Sequence, residues 1–92
     1  MEVKQKNNSK KGMFYIEQDG KIAAEMTYVW VGTGKIIIDH TEVNEILKGQ
    51  GAGKQMVSKV VEFARENALK IVPLCPFAKS VFDKTPEYGD VL

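Results

Sequence analysis

Residues 48–54 read KGQGAGK, with glycines at 49, 51 and 53 and a lysine at either end. A glycine-rich loop that opens a helix holds phosphate for two physical reasons. Glycine lets backbone N–H groups approach an anion closely, and a helix N-terminus carries the positive end of its dipole. Lys48 and Lys54 add cationic charge beside it. Spacing narrows the possible owners. A nucleotide-hydrolase loop needs a glycine where this chain has Lys48 and a Ser or Thr where it has Gln55. A dinucleotide loop needs G-x-G-x-x-G, which fails at Lys54 when counted from Gly49 and at Ala52 when counted from Gly51. A bare glycine-rich helix start without ligand is the bland alternative.

Few other residues could carry chemistry. Cys75 is the sole cysteine. A free thiol has a pKa of about 8.5, so a minor thiolate fraction is available at neutral pH for nucleophilic or proton-transfer work. It equally suits a small buried core position. His40 and Glu42 lie two apart and share one face of an extended segment, opposite Val43. They could act as a base or a base pair, or simply form hydrogen-bonded surface. Asp39, Asn44 and Glu45 carry weaker arguments. One histidine, one cysteine and scattered carboxylates show no metal-ligand spacing.

The elements that must position these residues follow from periodicity. GMFYIEQDGKIAAEMTYVWVGTGKIIIDHTEV has the pattern of an antiparallel meander, with an Asp-Gly hairpin turn in QDGK and a second turn at GTG. Ile22, Ala24, Met26, Tyr28 and Trp30 repeat every second residue, with Lys21, Glu25 and Thr27 opposite. Tyr28 and Trp30 therefore belong to the core. A further strand is expected near Val3–Lys6. Beyond the glycine loop the period becomes helical at Ala52, Met56, Val57, Val60, Val61, Ala64 and Ala68. KIVPL then returns to the sheet, and AKSVFDKTPEY forms a last short helix ending near Thr85, before Pro86. The strand–helix–strand part implies a right-handed crossover and locally parallel strands. The expected fold is α+β (mixed α/β), in a single domain over residues 1–92.

Bulk properties bound the function. The chain has 92 residues, 43% hydrophobic and 27% charged, with a net charge of +1, which gives no argument for a nucleic-acid binder. The basic cluster at Lys4, Lys6, Lys10 and Lys11 suits a solvated edge. The longest wholly apolar run, YVWV, is far too short to span a membrane. The N-terminus lacks the apolar core of a signal peptide, and one cysteine permits no internal disulfide. These features favour a reducing, cytoplasmic setting.

Lys48, two spacers, Gly51, one spacer and Gly53 resemble the signature of the GCN5-related N-acetyltransferase superfamily, with Lys48 where members usually carry Arg or Gln. Val43, five residues before Lys48, sits where the family's strand end pairs with the pantetheine arm of coenzyme A. HTEVNEILKGQGAGKQMV and LCPFAKSVF together look like the short, YjdJ-type acetyltransferase-like subfamily. The resemblance covers roughly residues 13–85. It implies a minimal fold without the paired helices that form one wall of the acceptor site in full-length members. It also implies acetyl-CoA as cosubstrate and an amine as acceptor. The implied cofactor contacts are Val43, the loop residues Lys48, Gly49, Gln50, Gly51, Ala52, Gly53 and Lys54, and then Cys75, Pro76 and Phe77.

One departure is informative. The superfamily pattern resembling Asn-x-x-Ala-x-x-x-Tyr supplies a tyrosine acid. Laid on CPFAKSVF, Ala78 matches, but Cys75 takes the Asn position and Phe82 the Tyr position. Phe82 cannot donate a proton. The resemblance therefore implies Cys75 beside the thioester, as nucleophile or as acid, with Glu42 or His40 as base. Three readings follow: an N-acetyltransferase, a module that binds or senses acetyl-CoA without turnover, or a small interaction protein with a basic loop.

Overall fold

The computed structural model describes residues 1–92. Five strands, β1 (Lys4–Asn7), β2 (Lys11–Gln18), β3 (Lys21–Val31), β4 (Lys35–Val43) and β5 (Lys70–Pro73), form one sheet in chain order. β1 to β4 are antiparallel, and β4 pairs with β5 in parallel. Helix α1 (Ala52–Glu66) makes the crossover between β4 and β5, and α2 (Pro76–Lys84) follows β5. Short 3-10 turns occupy Glu45–Leu47 and Pro86–Val91. This is the mixed α+β architecture expected from the sequence.

Local chemistry explains the elements. Asp19 and Gly20 adopt φ of 53° and 77° between β2 and β3, the paired positive values of the tight hairpin turn that suits twisted strands. α1 is amphipathic: Met56, Val57, Val60, Val61 and Ala64 are buried, while Lys54, Lys59, Glu62, Arg65 and Glu66 lie outside. It ends at Glu66, and Ala68 sits beyond it, exposed, at a φ of 54°. Ala68 fits the helical spacing without belonging to the helix. The chain must reverse there to enter β5.

One face of the sheet carries the core. Phe14, Ile16, Ala24, Met26, Tyr28, Ile36 and Ile38 join the buried side of α1 in a single cluster. Phe63, missed by periodicity, packs edge-on against Phe14 and Trp30. Tyr28 is fully buried but satisfied: Gln5 Nε2 donates to its hydroxyl at 2.8 Å, and that hydroxyl donates to Asn7 Oδ1 at 2.9 Å. Burial pushes the Tyr28 phenol pKa up, against a smaller downward pull from Gln5. Ile22 differs from its expected place. A register shift opposite Ile16/Glu17 leaves it exposed while Ala23 and Ala24 are both buried.

The opposite face presents Met13, Thr27, Val29 and Ile37, partly exposed and outside the core cluster. The chain runs from Lys11 to Val43 as three strands and two turns, with no helix intervening. No helix covers that face.

Candidate functional site

β4 and β5 run together only as far as Ile38 and Pro73. Leu74 N–H and Cys75 N–H both donate to Ile38 O, at 3.1 and 3.0 Å, and β5 then turns away into α2. β4 continues to Val43, held on its other side by β3. Asn44 N–H donates to Ala23 O. By antiparallel alternation, Glu42 also turns its backbone toward β3, and Thr41 and Val43 turn theirs toward the gap. The result is a cleft with one unpaired strand edge, which can accept a strand-like partner.

The cleft depends on a β-bulge. Thr27 pairs with His40 while Tyr28 pairs with Ile38, so Asp39 is an extra residue on β4. Ile36 and Ile38 face the core. After Asp39 the phase inverts, and Thr41 and Val43 take the helix side while His40 and Glu42 are exposed on the other. Sequence spacing placed His40 and Glu42 together correctly: His40 Nε2 lies 3.5 Å from Glu42 Oε2. It gave no sign that Thr41 would be the partner of Cys75.

Cys75 is the N-cap residue of α2 and is 6% exposed. Its Sγ donates to Thr41 Oγ1 at 3.2 Å. Burial pushes the thiol pKa up. The Thr41 hydroxyl, which turns to donate to the thiolate once the thiol ionises, and the nearby N–H groups of Ala78, Phe77 and Thr41 outweigh burial, and the net direction is down. The α2 amides approach Sγ without closing a cap hydrogen bond. A thiolate at a helix N-terminus is favoured for the same reason that an anion is. His40 points to the opposite side of the sheet from Cys75, so these two do not form a thiol–imidazole pair.

The glycine loop closes the other end of the cleft. Gly49 and Gly51 adopt φ of 77° and 73°, values that other residues reach only with strain. Gly51 caps α1 with no side-chain hydrogen bond. The N–H groups of Gly49, Gly51, Ala52, Gly53 and Lys54 donate to no protein group. Five unclaimed donors at a helix N-terminus are the chemistry of an anion site. Gly53 has a steric role: a Cβ there would come within 2.3 Å of the Phe77 ring. Phe77 thus lies across the first turn of α1, 39% exposed. Lys54 is exposed, and Lys48 lies 3.7 Å from Glu45 in a pair open to water. Gln50 faces away, its side chain donating to Ile46 O. Pro76 opens α2 at its first position.

Phe82 is buried and packs edge-on against Tyr88. Tyr88 stacks beside Arg65, thirteen residues and about 20 Å along α1 from the Ala52 end. No three His, Cys, Asp or Glu side chains gather where they could hold a metal ion. No helix is long and apolar enough to cross a membrane.

Residues 13–91 match the sequence model of the GCN5-related N-acetyltransferase family. This chain belongs to that family. A GCN5-like protein from Staphylococcus aureus, known from a solution structure, shares 44% identity and superposes with a TM-score of 0.76, over 98% of this chain and 85% of that one. A ribosomal-protein-alanine N-acetyltransferase from Brucella melitensis gives a TM-score of 0.69 at 15% identity, over 85% of this chain and 62% of that one. A Clostridium acetobutylicum protein, predicted to be an acetyltransferase and crystallised with acetyl-CoA, gives 0.66 at 18% identity, over 80% and 55%. The last two likenesses are of fold. This acetyltransferase-family chain spans little more than half of their length. No curated protein sequence matches it.

Proposed function

We propose that this chain binds acetyl-CoA in the cleft between β4 and β5 and transfers the acetyl group to an amine. The observation that carries the reading is the set of five unclaimed N–H groups at Gly49 and Gly51–Lys54, beside the unpaired edge of β4. The loop fits a pyrophosphate, with Lys48 and Lys54 as flanking cations. The backbone of Val43 fits the amide groups of a pantetheine arm. Pro76 and Phe77 fit the arm's other side. The absence of helices between Lys11 and Val43 supports the short YjdJ-type subfamily.

In the transfer, the amine nitrogen attacks the thioester carbonyl, the C–N bond forms and the C–S bond breaks. The amine proton passes to Glu42 or His40, on the open face of β4. The departing coenzyme A thiolate takes a proton from Cys75. The lowered pKa of the Cys75 thiol suits it as the proton donor. A nucleophilic Cys75 is the second route: its thiolate takes the acetyl group first, and the amine then releases it.

One observation favours a rival. Phe82, which the resemblance aligns with the family's proton donor, is a buried phenylalanine, which suits a module that carries or senses acetyl-CoA. Mass spectrometry after incubation with acetyl-CoA and an amine panel separates the readings. An acetylated amine, or an adduct on Cys75, supports transfer. Saturable binding with neither product supports the module. Absence of any preference for coenzyme A over other polyphosphates removes both readings.

A further inference from the structure

The open face of the sheet carries a depression of about 360 Å³. Its lining includes Lys6 of β1, Lys11 and Met13 of β2, Thr27 and Val29 of β3 and Asp39 of β4, so strand order sets the apolar Met13 and Val29 between the lysines and Asp39. Lys6 Nζ sits 5.2 Å from the centre of the Tyr15 ring, and neither Lys6 nor Lys11 enters an ion pair. Asp39 accepts from Thr27 Oγ1 at 2.7 Å and likewise has no cationic partner. An apolar floor between two unpaired cations and one unpaired carboxylate is a built charge gradient. It runs across the sheet from β1 and β2 to β4, two to three strand spacings or on the order of 10 Å.

Asp39 lines the depression and also borders the cleft. It is the bulged residue at the point where β4 parts from β5, next to His40 and three residues from Glu42. The acidic end therefore opens where the acetyl group would emerge, and the basic end lies farthest from it.

We propose that this depression is the acceptor site, and that it takes a small zwitterionic amine whose carboxylate lies on the order of 10 Å from its nitrogen, such as a short peptide with a free C-terminus. The inference rests on the reading of the cleft as an acetyl-CoA site. Lys6 and Lys11 hold the carboxylate, Met13 and Val29 carry the chain, and the amine sits by Asp39, His40 and Glu42. A wholly cationic polyamine meets two lysines that repel it.

The test is a residue-resolved NMR titration with triglycine, triglycine amide and spermidine, each with and without coenzyme A. Triglycine spans about 10 Å when extended. It is expected to shift Met13, Thr27, Val29 and Asp39 saturably. Triglycine amide and spermidine bind more weakly. Lys6→Glu combined with Lys11→Glu weakens triglycine by about tenfold, the scale of lost surface ion pairs, while shifts caused by acetyl-CoA at residues 48–54 persist. Equal binding of triglycine and its amide, tighter spermidine binding, or shifts elsewhere overturns the assignment. Normal acetyl-CoA shifts alongside an inert depression mean that only this inference fails. Triglycine seated in the depression without any acetyl transfer means that the transferase reading fails instead.

Discussion

Cys75 Sγ and Thr41 Oγ1 lie 3.2 Å apart across the mouth of the β4–β5 cleft. Two otherwise separate features create this contact. The bulge at Asp39 turns Thr41 to the helix side, and α2 starts immediately after Cys75. The contact leaves the thiol more acidic than its burial alone would allow. The midpoint of iodoacetamide alkylation against pH is expected to fall below that of an unperturbed cysteine in a short peptide measured alongside. Thr41→Val removes the hydroxyl at nearly constant volume and raises that midpoint. An unchanged midpoint in Thr41→Val would remove Thr41 from the account.

Glu42 lies on the open face of β4, away from the glycine loop. Glu42→Gln is expected to lower kcat by 10²-fold or more, the usual scale for losing a general base, with the acetyl-CoA Kd unchanged. His40→Gln gives the comparison for the paired imidazole. Steady-state kinetics and calorimetry check both. A Glu42→Gln enzyme with full kcat means that Glu42 takes no proton.

A Cβ at position 53 would meet the far end of the Phe77 ring, so Gly53→Ala moves that ring off the first turn of α1. The ring is partly exposed and can swing aside, so the expected stability loss is about 1 kcal/mol, the low end of the range for overpacking. In a Phe77→Ala background the same substitution costs much less, so the two changes are non-additive. Denaturant melts of the four-protein cycle measure the coupling. Additive losses would show that the contact is not what excludes a side chain at 53.

Arg65 and Asp90 tie the C-terminal turn to α1 through bonds of 2.9 and 2.8 Å. The hydrogen bond from Arg65 holds the Asp90 carboxyl below the usual carboxylate range. A depressed folded-state pKa stabilises above the unfolded value and loses that contribution as pH falls through the folded one. Asp90→Asn is therefore expected to lower Tm relative to the wild type at pH 7, with the gap closing toward pH 3. A constant gap across that range would contradict the pairing.

Much of the fold was legible because local signals agreed. The Asp-Gly turn, the alternation in β3 and the helical period from Met56 to Ala64 each pointed to the element found. Ala68 and Ile22 show where periodicity is blind, since a backbone reversal and a register shift both leave the spacing of apolar residues intact. At the site, Gly51, Gly53 and Cys75 stood out by residue type, and Val43 by its distance from Lys48 in the family resemblance. Thr41 and Asp39 did not. Their places follow from one bulge, whose trace in the sequence is a phase change: Ile36 and Ile38 on even positions, then Thr41 and Val43 on odd ones. A strand read with one constant phase conceals it. Lys6 and Lys11 read as solvated charge because only strand pairing brings them beside Asp39.

The most direct test of the central claim is a titration with acetyl-CoA followed by residue-resolved NMR, on the wild type and on Gly51→Glu. Gly51 is open to solvent at a φ of 73°, so glutamate there adds backbone strain and a negative charge facing the phosphate. The account predicts saturable shifts concentrated at residues 43–54 and 74–78 in the wild type, and binding weakened at least tenfold in a folded Gly51→Glu protein, as expected when a charge-assisted contact gives way to like-charge repulsion. Shifts centred elsewhere, or undiminished binding in folded Gly51→Glu, would contradict it.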